Sequence, residues 1–457
     1  MWPEAFIQRI KNQFPDDGNV LLESLDNDAR TSIRINPLKF KDKICEEHIK
    51  HSVWGYLLKG RPIFSLDPLW HSGCYYVQES SSMFIEQLIK IIRQINPKPL
   101  MVMDLCAAPG GKSTHLCSLL KPDDYLVSNE VISSRIPPLK ENLIKWGYPN
   151  ILINNNDPRQ IGTIGSLFDL IVVDAPCSGE GLFRRNKNAA KEWSVENTNL
   201  CKMRQQRILS DIIPCLKKDG FLIYSTCTFN SAENEENIAW LAHKTGCESI
   251  RIPIDPEWNV DEVILKDTYG YRFLPHKSAG EGFFISLLQK KSESKRISFQ
   301  KQPTFKRSKE KSADFIQSSE TYTFIKQHDD IRFIPTQWEK EISYLLDKLS
   351  VSHYGTGIGQ IIDNKLIPNH ELAMSTKLNR QAFPITELTL NQSLSFLRKE
   401  TFDIPLKSDW QLMTYRGYIL GFIKKIGSRF NNYYPKEWRL RSTNNVEKLW
   451  HENYSTS

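Results

Sequence analysis

PLMVMDLCAAPGGKS, residues Pro99 to Ser113, is the stretch on which the fold turns. It opens with a short apolar run bounded by turn residues, which reads as a buried strand. The run closes at Asp104, after which Gly110 and Gly111 let backbone N–H groups and the start of a helix come close to a ligand. Four further runs repeat this layout. YLVSNE closes at Glu130, NILINNND at Asp157, FDLIVVDAPC at Asp174 and Cys177, and GFLIYSTC at Cys227. The intervals between them are long enough for helices. Alternating strands and helices predict an α/β fold, a parallel sheet covered by helices, over residues of about 73–290. Such sheets bind ligands beyond the carboxyl ends of their strands. Acids stand at four successive ends here; helix N-capping explains any one of them, but not readily the set.

The glycine loop resembles a phosphate-binding GxxxxGK[ST] loop and departs from it twice. Cys106 stands where the first glycine belongs, and Pro109 removes an N–H donor from the cradle. Both departures argue against a nucleotide triphosphatase. Glu130 follows at about the interval where nucleotide-binding sheets place an acid on ribose hydroxyls. An adenosyl cofactor ending in a sulfonium amino acid fits this loop better than a triphosphate does.

Cys177 lies just past the fourth strand and Cys227 just past the fifth. Neighbouring strands run about 5 Å apart, so adjacency of these two would bring both thiols to one substrate. Carbon 5 of a pyrimidine is too poor a nucleophile to attack a methyl sulfonium. A thiolate adding to carbon 6 makes carbon 5 electron-rich; afterwards the carbon-5 proton must leave and the thiol must be expelled. One cysteine suits the covalent step and a second group suits the elimination. Asp174, three residues before Cys177, is placed to hydrogen-bond the N3/N4 edge as the ring gains charge. Methylation of an adenine amino group would call for a small polar residue and an aromatic where DAPC stands. Cys45, Cys117, Cys201, Cys215 and Cys247 read as ordinary small apolar residues.

The remaining chain frames this core. With 457 residues, several domains are expected. No apolar run reaches the roughly 18–20 residues of a membrane helix, and the N-terminus is too acidic for a signal peptide. Nine scattered cysteines without a CxxC pair support neither a disulfide framework nor a metal site, and suit a reducing cytoplasm. Residues 1–72 carry an amphipathic helix pattern over Ala5–Phe14 and a strand-like run over Thr31–Ile35, with no catalytic-looking cluster. Residues 291–312 form a basic, mobile linker: from 290 to 311, nine Lys/Arg face two Glu. Globular texture resumes at 313–380 and 381–457.

DLCAAPGGKSTHL, DAPCSGEGLFRR and YSTCTFNSAENE, in this order and with these strand-end acids, resemble the signature motifs of the Nop/Sun family of RNA 5-methylcytosine methyltransferases. The likeness extends to Gln78–Ser82, to KEWS at Lys191–Ser194 and to RFLPHKSAGEGFF at Arg272–Phe284. PNHELAMS at Pro368–Ser375 and the stretch Gly417–Arg441 resemble the tail of the bacterial RsmF group. The resemblance implies a class I (Rossmann-like) methyltransferase core with a small N-terminal α+β domain and a C-terminal PUA-like β-rich RNA-binding domain. It implies S-adenosylmethionine as cofactor, held by Cys106, Ala107, Ala108, Pro109, Gly110, Gly111, Lys112, Glu130, Asp157 and Asp174. It also implies Cys227 as nucleophile, Cys177 assisting product release and Lys112 reaching into the active site. Small-subunit ribosomal RNA or the 30S subunit is the implied partner of a monomeric chain. Pro137 and Pro138 after the second strand depart from the pattern and predict a later helix start rather than a lost site.

RNA contacts are expected at Arg184 and Arg185 beside the catalytic loop. They are also expected in Arg416–Arg441, where seven Lys/Arg, among them Arg416, Lys424, Lys425 and Arg429, interleave with aromatics against one Glu. The same aromatics would also suit the core of a small β-domain. The target cytosine must be unpaired or flipped for a thiol to reach it. A transfer-RNA substrate, or an inactive RNA-binding assembly factor, stand as the alternatives; the paired cysteines argue against the second.

Overall fold

The five apolar runs form five parallel strands: β1 (Met101–Asp104), β2 (Tyr125–Asn129), β3 (Ile151–Asn154), β4 (Phe168–Asp174) and β5 (Leu216–Thr226). In this computed structural model, the described residues are 2–295, 297–299, 305–308, 312–327, 329–363, 365–407, 409–444, 446 and 449–451. Across the sheet the strands run β3, β2, β1, β4, β5. Chain order therefore reverses between β1 and β4, which opens a crevice at their carboxyl ends. Beyond β5 the antiparallel strands Phe283–Lys290, Thr268–Phe273 and Asp261–Leu265 extend the sheet.

Apolar residues fill both sides of these strands because helices cover both faces. Met101, Met103, Val127, Ile171 and Tyr224 pack into one core; Val102, Leu126, Ile153, Leu170 and Ile223 pack into the other. The alternation follows from the two-residue side-chain period of a strand. The helix after β1 spans Gly111–Leu119, with Gly110 at its N-cap in the left-handed region, φ 116°. The helix after β2 spans Ile136–Trp146 and takes both prolines into its first turn rather than starting beyond them. First-turn N–H groups have no helical partner, so nothing is lost there.

The N-terminal region has the expected helix at Glu4–Gln13 and strand at Ser32–Ile35. That strand lies in a four-stranded antiparallel sheet with Glu47–His48, Gly55–Leu57 and Tyr75–Val77. The helix packs elsewhere: Phe6 meets Phe183 at 5.3 Å and Trp193 at 5.2 Å between ring centroids, in the segment after Cys177.

After residue 290 the chain is not a detached appendage. Of the predicted mobile linker, residues 296, 300–304 and 309–311 lie outside the described residues, as do 445, 447, 448 and 452–457 of the final segment. Ile297, Phe299 and Phe305 pack against the core of the large sheet, so these parts of the linker are held down by apolar contact. A five-stranded sheet follows within Lys306–Pro368 and a four-stranded one within Ile385–Asn432. Within the first of these spans, Val351–Tyr354 leaves the five-stranded sheet, pairs with β3 and adds an edge strand to the methyltransferase sheet. Among the described residues no helix is long and apolar enough to cross a membrane.

Candidate active site

Pairing of β4 with β5 sets Asp174 opposite Ser225 and brings the two loops beyond them together. The Sγ atoms of Cys177 and Cys227 lie 3.0 Å apart, both free thiols and both partly exposed. Hydrogen bonding to Cys227, then burial, pushes the Cys177 thiol well above its usual range. The Gly181 N–H donates to the Cys227 carbonyl at 2.9 Å. A Cβ at Gly181 would sit 2.5 Å from the Gly282 carbonyl oxygen, so only glycine allows this approach.

Asp174 stands beside the thiols with both carboxylate oxygens engaged. Ser225 Oγ donates to Oδ1 at 2.8 Å, and Lys112 Nζ lies 2.8 Å from Oδ2. Burial works against the Lys112 ammonium, but Asp174 and then Asp104 outweigh it, and the net shift is upward. Asp104 is fully buried; Ser113 Oγ donates to Oδ2 at 2.6 Å, while Oδ1 has no hydrogen-bond partner among the described residues. Burial raises this carboxyl to about 7. An unpaired buried carboxylate oxygen is costly unless a cation meets it.

A cavity of about 430 Å³ opens here, lined by Cys106 to Pro109, Gly111, Lys112 and Asp174 together with Tyr76 and Gln78. The Asp174 carboxylate on its wall, and the Asp104 carboxyl at the end of β1, fit the sulfonium and ammonium of an S-adenosylmethionine molecule, while Arg61 and Arg185 at the rim can meet its carboxylate. Glu130 is buried just past β2, where its Oε1 accepts from Ile132 N at 2.9 Å and its Oε2 lies 3.3 Å from Arg135. Asp157 caps the short helix Pro158–Gly162, accepting from Arg159 N at 2.9 Å, and meets Arg207 at 3.3 Å. The structure thus brings Lys112, Asp174, Cys177 and Cys227 together with the loop 106–111. It gives Glu130 and Asp157 local partners outside the cavity lining.

Residues that drew no attention in the sequence hold this arrangement. Glu233 accepts from Ser178 N at 3.0 Å and from Gln205 Nε2 at 2.8 Å, and so anchors the Cys177 loop. Burial pushes its carboxyl up to about 7. Glu233 belongs to YSTCTFNSAENE, so its motif offered a signal. The N-terminal helix offered none, yet it braces both cysteine loops. Arg9 Nη2 donates to the buried Glu180 at 2.6 Å, as does Trp193 Nε1 at 3.0 Å, and Gln13 Nε2 donates to the Phe229 carbonyl at 2.7 Å.

The expected RNA contacts divide. Arg184 is buried, and its guanidinium donates to the carbonyls of Asn27, Asp28, Pro275 and Gly280 at 2.5–3.3 Å. It is a structural clasp, because four of the five N–H donors of this buried guanidinium are spent on carbonyls. Arg185 remains exposed at the cavity rim. In the tail, Arg416 is tied to Asp42 and His451, Lys425 donates to the Leu406 carbonyl, and Lys424 lies over the Trp410 ring. Arg429 is exposed. Tyr415, Phe422 and Tyr434 are core residues, while Tyr433 is exposed.

A pocket at the switch point of such a sheet, with Asp104 and Asp174 at the strand ends and a glycine-opened helix beside it, defines an S-adenosylmethionine-dependent methyltransferase. The model of the 16S rRNA methyltransferase RsmB/F family matches residues 94–289. The models of the RsmF N-terminal domain and the RsmF PUA domain match residues 2–80 and 383–440. The chain belongs to this RsmB/F family of RNA methyltransferases. It is 27% identical to ribosomal RNA small subunit methyltransferase F of Shigella dysenteriae and 28% identical to that of Salmonella agona, in each case over 95% of this chain and 96% of the relative. Among solved structures, a methyltransferase homolog from Pyrococcus horikoshii is 25% identical with a TM-score of 0.53, over 63% of this chain and 95% of its own. NSun6 from the same organism shares the fold at 19% identity and a TM-score of 0.51, over 64% of this chain and 99% of its own.

Proposed function

We propose that this protein methylates carbon 5 of a cytosine in 16S ribosomal RNA, with Cys227 as the nucleophile. It acts as a monomer in the cytoplasm, on small-subunit RNA or the 30S subunit. The observation that carries the reaction is the 3.0 Å approach of two free thiols on adjacent strand ends, next to the Lys112–Asp174 pair. The substrate follows the names of the relatives, which are ribosomal RNA small subunit methyltransferases.

S-adenosylmethionine supplies an electrophilic methyl group when bound, and the loop Cys106–Lys112 with Asp104, Glu130, Asp157 and Asp174 would hold it. Cys227 as thiolate adds to carbon 6 of the flipped cytosine, favoured by the Lys112 cation nearby. The pair of electrons moved into the ring makes carbon 5 the nucleophile. Asp174 lies where it can hydrogen-bond the N3/N4 edge as that charge develops. After methylation the carbon-5 proton leaves with help from Cys177, the carbon 6–sulfur bond breaks, and the thiolate of Cys227 returns.

Bisulfite sequencing of 16S RNA from a strain lacking this protein is expected to show one or more cytosines losing protection, restored by the wild-type gene. Cys177→Ala is expected to accumulate a covalent protein–RNA adduct that survives a denaturing gel. Full 16S protection in the null strain would overturn the substrate. Normal turnover by Cys177→Ala with no adduct would remove that cysteine from the chemistry.

A further inference from the structure

A second cavity of about 440 Å³ adjoins the first, and Arg61, Val77, Gln78, Glu79 and Arg185 belong to both. It contains no residue of the cofactor loop. Its other side is the N-terminal stretch Asp28–Ser32 and the pair Gly280–Glu281. Its size lies within the range of about 300–1,000 Å³ that small ligands occupy.

Its floor is rigid. Arg184 joins the N-terminal region to the methyltransferase sheet through carbonyls on both sides, Asn27 and Asp28 on one and Pro275 and Gly280 on the other. Glu79 is consumed by backbone: it accepts from Ser81, Ser82 and Glu281 N–H groups at 2.8–3.1 Å. Among the charged side chains, Arg61, Arg185, Glu281 and the exposed Asp28 are left for a ligand. Arg61 is exposed, and among the described residues no carboxylate lies within ion-pair range of it. Arg185 is 61% exposed and only 3.9 Å from Glu281 at its nearest. The Glu281 carboxylate is 14% exposed and accepts no hydrogen bond among the described residues. Burial, then Glu79, pushes it up to about 7, so near neutrality it can both donate and accept.

We propose that this second cavity binds the nucleotide next to the target cytosine, with its phosphodiester between Arg61 and Arg185 and a base edge at Glu281. The inference rests on the RNA-methylating reading above. Two exposed guanidiniums, Arg61 with no ion pair among the described residues and Arg185 with only a long one to Glu281, match a phosphate, which Arg binds in bidentate fashion. A flipped cytosine leaves its neighbour unstacked, and unstacked bases are read on their hydrogen-bonding edges. The shared rim puts that neighbour one step from the thiols.

The test uses the full chain and a short single-stranded RNA centred on one cytosine, read by fluorescence anisotropy so that binding is measured apart from catalysis. Arg61→Ala and Arg185→Ala are each expected to weaken RNA binding about tenfold and to lower the salt slope by about 0.7, the value for one single-strand phosphate. A methylphosphonate at the neighbouring phosphate should weaken binding to wild type and change nothing further in the two variants. Glu281→Gln should alter the preference for the neighbouring base at unchanged salt slope. An unchanged slope, or a methylphosphonate penalty equal in variants and wild type, overturns the proposal. So does a matching loss of S-adenosylmethionine affinity, which would assign the arginines to the cofactor's carboxylate. Wild-type protein that binds the RNA this way but never methylates or traps it would instead refute the function above.

Discussion

The strand-end edge of the large sheet and the four-stranded C-terminal sheet both carry dense polar signals, and the structure treats them differently. At the strand ends, Cys177, Cys227, Asp174 and Lys112 converge on one point. In the C-terminal sheet, cations and aromatics that look like a nucleic-acid surface are partly spent on packing: Tyr434 is buried, and Arg416 is held by Asp42 and His451. A catalytic edge demands particular atoms at particular strand positions. A basic-aromatic composition also satisfies the needs of a small β-domain, so it does not separate surface from core.

The strongest way to break this contrast is at the thiols. Cys227→Ala should lower kcat by about 10⁴-fold or more, the scale on which an enzyme loses its nucleophile. S-adenosylmethionine affinity measured by calorimetry should stay intact; measurable turnover would dissolve the edge's special status. The brace comes next. Arg9→Ala removes the cationic partner of buried Glu180, leaving only the Trp193 donor on the same oxygen, and should cost about 10²-fold in kcat through misplacement of the Cys177 loop. The KM for RNA should hold and Arg9→Lys should restore part of the rate; loss of thermal stability with unchanged kcat would make the brace structural only.

A smaller effect concerns pH. The Asp104 carboxyl, raised to about 7, ionises as pH rises from about 6 to about 8 and then meets a cation better. S-adenosylmethionine should therefore bind up to about tenfold tighter at the upper end, and Asp104→Asn should flatten the profile. For the unliganded protein the sign is opposite. A carboxyl whose folded value is raised gives stability that is present below its unfolded value of 3.8 and lost as pH rises through about 7. The smallest effect sharpens the tail. Arg429→Ala, at an exposed site, should lower RNA affinity about threefold and the salt slope by about 0.7, as for one phosphate contact. Arg416→Ala should instead cost less than about 1 kcal/mol of stability through its exposed ion pair, with little change in RNA binding.

Much of the core was legible because its signals are local. Each of the five runs carried its strand and closing residue within a few positions, and a parallel buried sheet needs continuous apolar runs. The glycine loop announced itself by Gly110, whose φ of 116° few other residues adopt. Arg184 misled because its neighbour Arg185 has the same composition and the opposite environment. Arg9 and Gln13 were invisible because their partners, Glu180 and Phe229, lie 171 and 216 positions away. The strand Val351–Tyr354 was hidden for the same reason: it pairs with β3, a strand about two hundred residues earlier.

By itself, then, the sequence determined the doubly wound core, its ligand edge and the residue types that can perform thiol-assisted methyl transfer, because strand period, glycine conformation and thiol chemistry act over a few neighbouring residues. Only the tertiary structure decided which polar side chains remain free to meet a substrate. It closed Cys177 onto Cys227, left Asp104 Oδ1 without a partner among the described residues, spent Arg184 on four carbonyls and kept Arg61 and Arg185 exposed. Whether a charge is available depends on what the folded chain brings within hydrogen-bond reach, and that distance is not written in the spacing of residues.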